Sequence, residues 1–174
     1  IVFQTQGARS YYTSNSIQNK SVIIYNPLNL PQKKVVIAEN NYNIVSVGRL
    51  SSQKNQKLLI DAVNKLKGKY PQLSLTIYGE GNLRSELEEQ IKKLELVGRI
   101  LLPGTESNVM DKISESRLFV FSSDYEGIPN ALLEAMSIGL PCVSTDCSPG
   151  GAREFINNYE NGIIVPCNDV DAMA

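Results

Sequence analysis

Between residues 43 and 165, six short apolar runs alternate with stretches patterned for helix, and that alternation leaves few folds open. The runs fall at 44–47, 73–78, 100–102, 118–121, 142–145 and 162–165, and Leu-Phe-Val-Phe at 118–121 is the kind a buried strand uses. Between them, Leu58, Leu59, Ala62, Val63 and Leu66 line one helical face, and Leu83, Leu87, Ile91 and Leu94 mark a second helix. Shorter helices are expected at 109–116, from about Ala131 to Gly139, and at 152–156. Glu88 with Lys92 and Glu89 with Lys93 have the favourable i,i+4 order and read as a solvated outer face. Strands separated by helices predict an α/β fold with a doubly wound parallel sheet, Rossmann-like, because each right-handed crossover returns through a helix.

In such a sheet, ligands gather at the carboxyl ends of the strands. Here those ends carry Gly48-Arg49, Tyr78-Gly79-Glu80, Pro103-Gly104-Thr105, residues 122–126 and Thr145-Asp146. The richest of them follows the run 118–121: Glu126, Gly127, Ile128, Pro129 and Asn130 lead into a helix with Ala131, Leu132 and Glu134. Gly127 lets a ligand approach the backbone. The N–H groups of Ala131 and Leu132 should lack partners, as at any helix start. With Arg49 and Lys54 nearby, a helix tip and two cations would suit a diphosphate. The plainer readings stand beside this one: an acid early in a helix complements the dipole, a loop Glu is usually solvated, and single surface cations are common.

Several motifs fail. Gly79-Glu80-Gly81 lacks the third glycine of a dinucleotide fingerprint, since Arg84 follows, and no phosphate loop ending Gly-Lys-Ser/Thr occurs. Asp169-Val170-Asp171 spells a metal-chelating pattern, yet its place at an apparent helix start favours a cap. With no histidine, His-based acid–base catalysis and His-ligated metal are excluded within this chain. A formal net charge of −1 gives no sign of a nucleic-acid surface. The three cysteines, Cys142, Cys147 and Cys167, have no metal-like pairing and read as reduced thiols in a cytoplasmic protein. No apolar run approaches the ~18–20 residues of a membrane span.

The ends read as cut, because Ile1-Val2-Phe3 resembles a strand in progress and a helix is starting where the chain stops, an excised piece of a longer protein. Residues 1–5 and 21–25 read as strands and 8–18 as a short helix; the polar, proline-punctuated stretch after Asn26-Pro27 reads as a linker, with some extended structure around 35–37.

Val47-Gly48-Arg49-Leu50 with Lys54, the stretch 126–141 with its paired glutamates, Pro149-Gly150-Gly151-Ala152-Arg153-Glu154 and the segment 161–166 together resemble the family-4 retaining glycosyltransferases. That family has the GT-B architecture of two Rossmann-like domains facing across a cleft. The resemblance implies that residues 1–27 are the tail end of the N-terminal domain and the crossover, 28–42 a linker, and 43–174 the C-terminal nucleotide-sugar-binding domain, truncated at its end. It implies catalytic roles for Glu126, Arg49 and Lys54, the two cations neutralising the donor diphosphate and Glu126 facing the transferred sugar. Glu134 would accept from the ribose hydroxyls. Gly127, Ile128, Pro129, Asn130 and Ala131 would bind sugar hydroxyls or the distal phosphate. Gly79, Pro103, Gly104 and Thr105 would wall the base site. No metal and no cofactor are implied beyond a nucleotide-sugar substrate, UDP-linked in the expected case. The acceptor, a glycan or lipid-linked, would be held by the other domain, so this piece should bind donor or UDP weakly and turn over little or nothing. The expected location is cytoplasmic or the inner face of the membrane. A GT-B nucleotide-sugar epimerase and a non-catalytic nucleotide-binding module are the alternatives.

Overall fold

The computed structural model describes residues 1–28, 35, 37, 38 and 41–174. All six expected runs become strands: β3 (Asn43–Val47), β4 (Ser74–Tyr78), β5 (Ile100–Gly104), β6 (Leu118–Phe121), β7 (Cys142–Thr145) and β8 (Ile163–Val165). Two earlier strands, β1 (Val2–Phe3) and β2 (Val22–Ile23), form a separate parallel pair. The main sheet is parallel throughout, in the order β5-β4-β3-β6-β7-β8. Counted within the sheet, this is the 3-2-1-4-5-6 order of dinucleotide-binding folds, which reverses direction between β3 and β6.

Alternation along the strands sorts the core into two layers. Val45, Phe119, Phe121 and Cys142 face Leu132, Ala135 and Ile138 of and beside α6 (Asn130–Ser137), with Ile113 of α5 (Val109–Ile113). Leu75, Ile77 and Val120 face the other way, against Leu59, Ile60 and Val63 of α3 (Gln56–Leu66) and Leu87 and Ile91 of α4 (Arg84–Lys93). Helices therefore cover both faces, as a doubly wound sheet requires.

Three expectations change. The stretch 8–18 is not one helix but two, α1 (Gln6–Ser10) and α2 (Asn15–Asn19), because Thr13-Ser14 prefers cap and turn geometry and Ser14 takes an extended N-cap conformation. Residues 152–156 make only a single turn, in which the Ala152 carbonyl accepts from both Phe155 and Ile156. Two buried apolar side chains, Ala152 and Ile156, anchor that turn without room for a second. Glu88 turns back to Arg84 at 2.9 Å, so the outer face of α4 is paired differently from the expected Glu88–Lys92. The extended stretch expected at 35–37 lies partly outside the described residues. Asp169 caps the last helix, α7 (Val170–Met173), accepting from the Ala172 N–H at 2.9 Å, while Asp171 pairs with Lys65. Both carboxylates of the suspected metal motif thus have structural partners. The cysteines are free thiols, and burial pushes those of Cys142 and Cys147 up to about 12.

Candidate functional site

β3 continues into α3 on one side of the sheet reversal and β6 into α6 on the other, so the carboxyl ends of these neighbours frame a crevice. On the β3 side, Gly48, Arg49, Gly79 and Thr105 line one cavity of about 340 Å³ with Tyr78, Glu80, Glu106 and Val109. Its tight corner depends on Gly79, whose φ is +139° and where a Cβ would fall 2.1 Å from the Gly48 carbonyl oxygen. Gly104 stands behind the cavity, its carbonyl accepting the Gly79 N–H at 2.8 Å, and Pro103 is an exposed β5 residue outside the lining. Arg49 is exposed on the rim, and among the described residues its guanidinium has no hydrogen-bond or ion-pair partner.

Lys54 ends a 3-10 turn (Ser52–Lys54) and arches back over Gly48. Its ammonium lies 2.5 Å from Glu126 Oε1 and 5.2 Å from the centre of the Phe121 ring. Glu126 is 8% exposed, and its N–H donates to the Ser148 carbonyl at 2.8 Å. Breaking so enclosed a pair would strand one charge, so Lys54 and Glu126 form one unit.

On the α6 side, Gly127 is exposed, Ile128 and Pro129 are buried, and the helix begins at Asn130. The N–H groups of Ala131 and Leu132 find no acceptor among the described residues, as a free helix tip would have it. Glu134 is the fifth residue of α6, beyond the first turn, where the dipole reading loses its basis. Its carboxylate is half-buried without a hydrogen-bond or ion-pair partner among the described residues, and burial pushes its pKa up. An unpartnered half-buried carboxylate on the helix after β6 and an unpartnered guanidinium at the end of the neighbouring β3 leave groups that a ligand with hydroxyl donors and negative charge would satisfy.

Sequence reasoning missed the polar clamp joining the two sides. Gln53 Nε2 donates to the Tyr125 carbonyl at 2.9 Å and reaches Glu126 Oε1 at 3.4 Å. Ser122 Oγ donates to the Lys54 carbonyl at 2.7 Å, and Asn55, in the left-handed region, donates to Asp124 at 3.0 Å. These partners lie about 70 positions apart, so no local pattern announces them. Glu80 and Glu106 were also unassigned, and Arg84 holds Glu80 at 2.5 Å behind the cavity. A larger groove of about 620 Å³ lies at the amino ends of β6 and β7, lined by Leu118, Leu140, Pro141 and Ile163, away from these groups.

Among the described residues, no cluster of three or more His, Cys, Asp or Glu could hold a metal ion, and no helix is long and apolar enough to cross a membrane.

A family model described as glycosyl transferases group 1 matches residues 30–174. The chain is 37% identical over 158 residues to the N-acetylgalactosamine-N,N'-diacetylbacillosaminyl-diphospho-undecaprenol 4-alpha-N-acetylgalactosaminyltransferase of Campylobacter jejuni, covering 88% of this chain and 42% of the relative. It is 30% identical over 146 residues to the UDP-Gal:alpha-D-GlcNAc-diphosphoundecaprenol alpha-1,3-galactosyltransferase of Escherichia coli, covering 82% of this chain and 37% of the relative. It therefore spans less than half the length of the curated relatives it matches. Its fold superposes on HepE of Anabaena, solved in complex with UDP, with a TM-score of 0.86 at 22% identity over 99% of this chain and 51% of that one. The glycine-cornered cavity, the Lys54–Glu126 unit and the free tip of α6 thus sit on a GT-B half, and the chain belongs to the group 1 glycosyltransferase family.

Proposed function

We propose that the chain is the donor-binding half of a glycosyltransferase that moves a sugar from a UDP-linked donor to a glycan or lipid-linked acceptor with retention of configuration. One observation carries this reading: Arg49 follows β3, the Ala131 and Leu132 N–H groups open the helix after the neighbouring β6, Glu134 stands further along that helix, and all of them are unpartnered among the described residues. A sugar nucleotide satisfies all of them, its diphosphate taking the cation and N–H groups and its ribose hydroxyls donating to Glu134. The cavity behind Gly79 and Thr105 receives the base.

As the glycosidic bond breaks, negative charge builds on the departing diphosphate, and Arg49, Lys54 and the α6 tip stabilise it where it forms. Two side-chain cations and a helix tip make a metal unnecessary for that step. Glu126, fixed by Lys54 and Gln53, faces the transferred sugar. The Escherichia coli relative is named for a UDP-galactose donor and an alpha-1,3 product, and UDP-galactose is itself an α-glycoside, which supports both the base and the retention. Residues 1–27 belong to the opposing domain and crossover, 28–42 are the linker, and the acceptor sits on the opposing wall. A lipid-linked acceptor would bring the enzyme to the inner face of the membrane from the cytoplasm.

Calorimetric titration of this chain with UDP, ADP and GDP tests the reading. UDP should bind, weakly and in preference to the others, while transfer by the chain alone stays negligible beside the full-length protein. Arg49→Ala should weaken UDP by about tenfold, the worth of one charge-assisted contact. Equal binding of all three nucleotides, or none, would remove the donor assignment. A transfer rate in the full-length protein that collapses in EDTA and returns with a divalent ion would remove metal independence.

A further inference from the structure

Glu154 sits in the turn that replaced the expected helix, and its carboxylate grips a distant part of the chain. It accepts the Gln6 N–H at 3.0 and 2.8 Å and the Tyr25 O–H at 2.7 Å. The Tyr25 ring stands edge-on to Phe155, with centroids 5.6 Å apart. Beside them the first turn of α1 presses on the loop before Glu154, since a Cβ on Gly7 would fall 1.8 Å from the Pro149 carbonyl oxygen.

From this clamp two lines of contact reach opposite ends of the 126–130 loop. One runs along the segment bearing Glu154: the Ser148 carbonyl receives the Glu126 N–H at 2.8 Å, and a Cβ on Gly151 would fall 2.4 Å from the Gly127 oxygen. The other runs through the docked segment: Gln4 donates to Asn26 at 2.8 Å, and Asn26 donates to Asn130 at 3.2 Å, the first residue of α6. Among the described residues, the hydrogen bonds of Gln6 and Tyr25 reach Glu154 and none of the crevice groups.

We propose that Glu154 is a positioning residue for the donor site: by clamping Gln6 and Tyr25 it holds segment 4–26 against the 126–130 loop and so sets Glu126 and the tip of α6. The functional meaning rests on reading that loop as donor-binding; the mechanical coupling does not.

Amide hydrogen exchange on this ligand-free chain tests the coupling, comparing wild type with Glu154→Ala, Asn26→Ala, Gly7→Ala and the Glu154→Ala/Asn26→Ala double variant. Glu154→Ala should speed exchange at Gln6 by about tenfold or more, and at the hydrogen-bonded amides of Glu126 and Leu133 by about five- to tenfold, with α3 and β4 unchanged. Gly7→Ala, which pushes from the other side, should give the same pattern. At Leu133 the double variant should add nothing to the larger single effect, the mark of a shared line. Where Glu154→Ala loosens α3 as well, Glu154→Gln keeps one carbonyl for Gln6 and should show the same pattern at reduced size. Faster exchange at Gln6 with Glu126 and Leu133 unmoved overturns the proposal. In parallel, Glu154→Ala should raise the dissociation constant for UDP by about fivefold with stoichiometry unchanged, whereas partial misfolding would lower stoichiometry alone. Should wild type not bind UDP, the nucleotide reading fails and the exchange pattern alone decides the clamp.

Discussion

Lys54→Ala is expected to lower kcat/KM of the full-length enzyme by about 10²–10³-fold, the loss seen when one preorganised group facing developing negative charge is removed. Stability should fall as well, by about 2 kcal/mol. That is the low end for breaking an enclosed pair, because the Lys54 side chain is 21% exposed although the Glu126 side chain is only 9% exposed. The two losses separate experimentally. Lys54→Met keeps an unbranched apolar stem along the path that runs 3.5–3.6 Å from where a Gly48 Cβ would stand and removes the ammonium. It should lose as much activity as Lys54→Ala. Adding Glu126→Gln to Lys54→Met removes the stranded carboxylate, so stability should return while activity stays low. Lys54→Arg should not rescue in full, since a planar guanidinium does not reproduce the compact ammonium held 2.5 Å from Glu126 Oε1. Near-normal kcat/KM in Lys54→Met would show that the ammonium serves the Glu126 pair alone.

The six strands and their helices were legible because each run is short, apolar and bounded by Gly, Pro or polar residues, and because their alternation admits essentially one winding. The crevice followed from that winding, so Arg49 and Gly79 could be put at the carboxyl ends of the strands without any coordinates, whereas Glu134 was assigned its role by the family resemblance. What stayed hidden depends on contacts between segments far apart in sequence. Gln53 reads as any loop amide until Glu126 is found beside it. The pattern Ala152 to Ile156 reads as helix, and only the docked N-terminal segment shows why Glu154 stands where a single turn leaves it. Pro103 was grouped with Gly104 and Thr105 by adjacency, yet of the three only Thr105, just past the end of β5, reaches the cavity.

Glu134 should trade stability for binding. Burial raises its carboxyl pKa in the folded chain above the value in the unfolded chain. A group raised in this direction contributes stability that is complete below its unfolded pKa and is lost as pH rises through the folded one. The ionised form of this half-buried carboxylate is uncompensated among the described residues of the ligand-free chain. Glu134→Gln should be more stable than wild type in urea at pH 7–8, and the advantage should shrink as pH falls through the carboxylate range, where wild type regains the proton. Binding should move the other way. Two ribose hydroxyls donating to a carboxylate are together worth about 3 kcal/mol, so Glu134→Ala should weaken UDP by about 100-fold. The diagnostic ligand is 2'-deoxy-UDP, which should bind much more weakly than UDP to wild type and no more weakly than UDP to Glu134→Ala. Equal affinity of wild type for the two nucleotides would mean that the carboxylate does not meet the ribose. A Glu134→Gln chain no more stable than wild type at neutral pH would mean that its burial carries no cost to be relieved by ligand.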